Sequence, residues 1–126
     1  MNEEVAPVVT RAQEIAADLL EAVDALEASI PGLERAHPLK RRRVLAQRTV
    51  PRDFIASMAA AVEQSEELQR LGSFDVEEAR AALRFEEVLG PVADRIAALL
   101  ANVIFTVEWH KATVAAAALR TYGQTE

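Results

Sequence analysis

Apolar residues return every three or four positions along most of the chain. Between residues 7 and 30, Val8, Ala12, Ile15, Leu19, Val23, Leu26 and Ile30 fall within about 80° of one another on a helical wheel. Arg11, Glu14, Asp18 and Glu21 gather on the other side. Such a narrow seam is of the bundle or coiled-coil kind. Pro7 suits a first helical turn, where its missing N–H costs nothing. Pro31-Gly32 supplies the stop.

Residues 33–38 form a connector. A second helical pattern starts near Pro38, and Pro51 either starts a new helix or kinks the current one. From Arg52 a stripe of Phe54, Ile55, Met58, Ala61, Val62, Ser65 and Leu68 predicts a helix ending near Gly72. Asp75 and Glu78 form a capping box for the next helix, and Phe74 is placed to staple against Ala79.

The last stripe is Phe85, Leu89, Val92, Ile96, Leu99, Val103, Val107, His110, Val114, Ala117 and Thr121. It keeps one phase through Gly90-Pro91, a strong local breaker. Pro91 therefore either kinks one long helix or starts another, and the segment is expected to be helical to about Tyr122. The pattern predicts an all-α fold: an antiparallel bundle of about four principal helices. It is expected as one domain over residues 1–126, with flexible ends at 1–6 and 123–126.

Composition agrees. Twenty-five of 126 residues are Ala, the best helix former, against four Gly and five Pro. The absence of Cys excludes disulfides, thiolate catalysis and cysteine metal sites. The N-terminus is acidic, unlike a signal peptide. The longest uncharged run in a helical pattern, residues 96–107, has 12 residues, short of the roughly 20 needed to span a bilayer. A cytoplasmic protein without a membrane partner is expected. The Ala excess and 12 Arg against two Lys are those of a GC-rich bacterial genome.

The net charge of −6 is unevenly spread. Residues 35–52 carry +7 and the remainder −13. Lys40, Arg41, Arg42, Arg43, Arg48 and Arg52 are candidates for binding an anion. If the helix ran through Pro51, Arg41, Arg48 and Arg52 would share one face. Interleaved aromatics and base-reading side chains are lacking apart from Gln47, so nucleic acid is not the favoured partner.

The final helix has a second apolar face. Phe105, Trp109, Ala112, Ala116 and Leu119 cluster on the side away from His110, and are the candidate self-association surface. His110, in mid-seam, is the candidate interior contact for a small molecule or metal. Glu34-x-x-His37 has the spacing of a di-iron bundle ligand pair but occurs once, in a connector, so no metal site is assigned. The pairs Glu66-Glu67, Glu77-Glu78 and Glu86-Glu87 point about 100° apart and make no two-carboxylate site. Glu63 and Glu67, four apart, are at most a weak cation pair. No catalytic constellation or cofactor motif is present. The expected function is non-enzymatic: a helical interaction protein that self-associates through its C-terminal helix, most simply as a homodimer. Anion binding by residues 35–52 and ligand binding near His110 are the alternatives.

Overall fold

A computed structural model describes residues 2–125, with side chains described from 6 to 124. The described residues form five helices and no strand: α1 (Asn2–Ser29), α2 (Pro38–Gln47), α3 (Arg52–Gln64), α4 (Glu66–Leu71) and α5 (Val76–Thr125). The all-α reading holds. The chain divides into two compact units, residues 1–40 and 41–126, and the division falls within α2.

In the first unit α1 begins at Asn2, ahead of the expected Pro7, which lies inside the helix. Residues 2–6, expected as a flexible lead, are thus helical, while Met1 lies outside the described residues. Pro31-Gly32 closes α1 as the sequence predicts, with Gly32 in the left-handed region at φ 65°. The seam along α1 stays largely open: Ile15 and Ile30 are half-buried, and Val8, Leu19, Val23 and Leu26 are exposed.

In the second unit Pro51 starts a helix rather than kinking one. Its φ of −74° and ψ of 152° are extended, and the Phe54 N–H donates to its carbonyl. A proline also disfavours the helical region for the residue before it, so α2 ends at Gln47 and residues 48–50 form a turn. The stripe expected to run unbroken to Gly72 is interrupted at Ser65, which is extended (φ −126°, ψ 115°). The Ser65 hydroxyl accepts from the Leu68 N–H at 3.3 Å, and Glu66 and Glu67 sit in the first turn of α4. The Gln69 side-chain amide donates to the Val62 and Glu63 carbonyls at the end of α3, both at 3.0 Å, and the Val62 carbonyl also accepts from the Ser65 N–H. Gly72 ends α4 at φ 66°, as expected.

Asp75 caps α5. Its carboxylate accepts from the Glu78 N–H at 3.1 Å, and its carbonyl accepts from the Ala79 N–H at 2.9 Å. Phe74 is half-buried beside this turn. α5 then runs for 50 residues straight through Gly90 and Pro91, past Tyr122 to Thr125, so the expected flexible tail from 123 is helical as far as it is described. Of the two readings of Gly90-Pro91, a single helix is the one observed. Pro91 removes one donor from the ladder, while the apolar seam continues in phase on both sides.

α3 lies antiparallel to the start of α5. Arg52, at the beginning of α3, reaches Glu86 and Glu87, whereas Glu63, at its end, reaches Arg80. Ala59 and Val62 are the two buried apolar residues of the described chain, at 2% and 4% exposure. Ile55, Met58, Leu68, Val76, Ala79 and Leu83 are half-buried around them. The packing within this unit is thus a helical hairpin with α4 at its closed end. Beyond the hairpin, residues 91–124 are exposed except for half-buried His110 and Thr113.

The hairpin contact is small, so it is sensitive to volume. Val62→Ala is expected to destabilise the protein by about 2 kcal/mol in urea unfolding. Val44→Ala, at an exposed position of α2, should change stability by less than about 0.5 kcal/mol.

Candidate functional site

The chemistry of this chain is concentrated on two surfaces, the length of α5 and the basic residues around α2. On α5 the side packed by α3 carries Val76, Ala79 and Leu83. At 100° per residue, the seam from Phe85 to Thr121 falls on roughly the opposite side. Val92, Leu99, Val103, Val107 and Val114 are all exposed there, at 40% to 64%. Apolar side chains in contiguous exposed array mark an interaction surface, whereas scattered single ones do not.

The α3 side of α5 continues past Gly90 as the second apolar face. Phe105, Trp109, Ala112, Ala116 and Leu119 are exposed on it. Phe105 and Trp109, one turn apart, stack on each other with ring centroids 6.3 Å apart and planes 27° from parallel. The alanines around them leave room for another backbone to approach. α5 thus offers two apolar faces, and α3 covers only the first turns of one. His110 is half-buried on the seam. Among the described residues no three His, Asp or Glu side chains come together as a metal site. Glu34 and His37 lie in the irregular connector.

By length and composition α5 is also apolar enough to cross a membrane. Asp94-Arg95 on one side and Glu108 with Lys111 on the other frame its 12-residue uncharged run.

The basic segment is partly neutralised from within. Arg35 pairs with Glu27 at 3.8 Å, and Lys40 pairs with Glu34, holding that carboxyl below the ordinary glutamate range. Arg52 donates to Glu86 at 2.6 Å and to Glu87 at 2.5 Å. Its hydrogen bond to Glu87 raises its own pKa further. The shared face of Arg41, Arg48 and Arg52 does not form. Arg41 is in α2, Arg48 is in the turn that Pro51 imposes, and Arg52 is committed to α5. Arg41, Arg42, Arg43 and Arg48 are exposed and make no ion pair among the described residues.

Three acidic residues have roles that sequence spacing did not reveal. Glu86 and Glu87 point apart, as adjacent residues must, yet one guanidinium spans both. Glu63 does not pair with Glu67 as a cation site, because the break at Ser65 puts them in different helices. It accepts instead from Arg80 through both oxygens, at 2.6 and 3.1 Å. No local signal marks a pair 17 residues apart.

No protein-family model, curated protein or solved structure matches the chain.

The hydrogen bond from Arg80 lowers the pKa of Glu63 below its ordinary value of 4.5. A depressed carboxylate stabilises the folded state fully above the unfolded pKa, and that contribution is lost as pH falls through the folded value. Thermal unfolding of Glu63→Gln should therefore show a deficit against the parent at pH 6 that narrows toward pH 3. A deficit independent of pH would show that the ion pair is not its source.

Proposed function

We propose that this chain is a non-enzymatic helical interaction protein that assembles with further copies of itself through α5. The observation that carries the reading is the extent of α5 that stands open: from residue 91 to 124 no side chain is fully buried, although apolar residues line two of its faces. A helix apolar on nearly all sides is an interior helix. Copies of the chain packing side by side make it one. The antiparallel bundle of about four helices that the sequence suggests is then completed between chains, with a hairpin from each. Assembly in water is favoured over a membrane span because Asp94, Arg95, Glu108 and Lys111 interrupt the apolar stretch. A cytoplasmic location fits this reading.

Sedimentation velocity at tens of micromolar should give a dimer or larger species. Trp109→Ala should raise the dissociation constant for assembly through the Phe105–Trp109 face tenfold or more, by removing a large aromatic contact of about 1.4 kcal/mol or above. A parent chain that sediments as a monomer, or floats with lipid vesicles, overturns the proposal.

The second reading is anion binding by Arg41, Arg42, Arg43 and Arg48. What favours it is that these four guanidinium groups lack carboxylate partners among the described residues, while their neighbours Lys40 and Arg52 have them. It predicts retention on heparin at low salt, with affinity falling steeply as salt rises. Replacing the four arginines with Gln should abolish retention, and retention that survives the replacement would dispose of the reading.

A further inference from the structure

We infer that α5 pairs antiparallel with α5 of a second copy along the Phe85–Val114 seam, about a two-fold axis between Ala97 and Ala98. This rests on the reading that α5 self-associates, and assigns the contact of the pair to the seam, with the Phe105–Trp109 face left for assembly beyond the pair. In a coiled-coil-like contact, seam residues of two antiparallel helices meet in layers whose residue numbers share a constant sum. For this seam the layers are Ile96 with Leu99, Val92 with Val103, Leu89 with Val107 and Phe85 with His110, summing to 195 or 196 throughout. The symmetry repeats each layer on the other side of the axis. These layers run from Phe85 to His110 and contain no Asp, Glu, Lys or Arg.

Charge chooses the direction. Residues 63–87, the hairpin end, hold eight carboxylates against three arginines, a net of −5. Residues 96–125 hold Glu108 against Lys111 and Arg120, a net of +1. Parallel pairing lays the two −5 ends beside each other. Antiparallel pairing lays each beside a +1 end, so the like-charge repulsion is avoided.

The area suffices. Eight apolar side chains per copy, from Phe85 to Val114 and about half exposed, bury on the order of 1,000 Å² together, the lower end for a specific interface. The contact lies on the face of α5 away from α3, so it requires no rearrangement of the hairpin. It leaves the Phe105–Trp109 face available for further helices.

The chain has no Cys, so single labels can be placed freely. Ala97→Cys and Gly123→Cys, both at exposed positions, are each labelled with a donor in one batch and an acceptor in another, then mixed. Circular dichroism confirms that the helices are retained. Labels at 97 lie beside the axis and should transfer energy efficiently. Labels at 123 should be about 75 Å apart, at 1.5 Å rise per residue, and transfer almost none. Efficient transfer at both positions means parallel pairing and overturns the inference while self-association stands. No transfer at either position overturns the inference as well. Sedimentation of the same samples then decides self-association separately: a monomer removes both, and an oligomer removes the register alone.

Discussion

Ala59 and Val62 mark the place where α3 closes against the first turns of α5, and the fold of the second unit follows from that contact. It fixes the direction of α3 through Arg52 and Glu63, whose partners on α5 lie in reverse order along the chain. It also sets the limit of α3, which is 13 residues long against the 50 of α5. A helix of 13 residues extends about 20 Å and one of 50 about 75 Å. Most of α5 therefore projects beyond anything its hairpin can cover. Isolated helices draw little stability from propensity alone, and most helical stability in proteins comes from burying a face. The length mismatch is the source of the unpartnered surface on α5.

The ion pairs at the two ends of this hairpin belong to the same constraint. They sit on exposed side chains, where solvent screening leaves such pairs little net stabilising effect. Their value is in register. Arg52 straddling Glu86 and Glu87, and Glu63 facing Arg80, are satisfied together only when α3 sits at one height along α5. Sliding by a turn would strand both. The same arrangement withdraws Arg52 from the basic segment, which leaves Arg41, Arg42, Arg43 and Arg48 as the part whose charge is not met.

Helix positions and several ends were legible in the sequence because local chemistry decides them. Pro31-Gly32, Pro51, Gly72 and Asp75 each act within a few residues of where they stand. Ser65 acts the same way, but its place in the apolar stripe hid it, although Ser followed by two Glu residues is also an N-cap signal. Gly90-Pro91 misleads in the opposite direction. The dipeptide reads as a breaker, yet the seam on either side keeps one phase and the helix continues. What spacing could not supply was pairing between distant segments. Arg52 with Glu86 and Glu87 spans more than 30 residues, and nothing local singles out those carboxylates among 20. Phe105 and Trp109 were visible as a surface candidate because they lie one turn apart among alanines, and the structure finds them stacked and exposed.

The seam of α5 has a property that bears on twist. From Phe85 to Thr121 it advances 36 residues in ten steps, an average of 3.6, because six intervals of four outnumber four of three, with two fours in succession at Leu99–Val103–Val107. A strict heptad advances 3.5 per turn and drives a left-handed supercoil, while an eleven-residue repeat unwinds it. This seam does neither. It stays on one side of an α-helix of ordinary twist, so a neighbour can lie along it without either helix being wound into a rope. A contact along it would keep the twist of each helix as it is in the single chain.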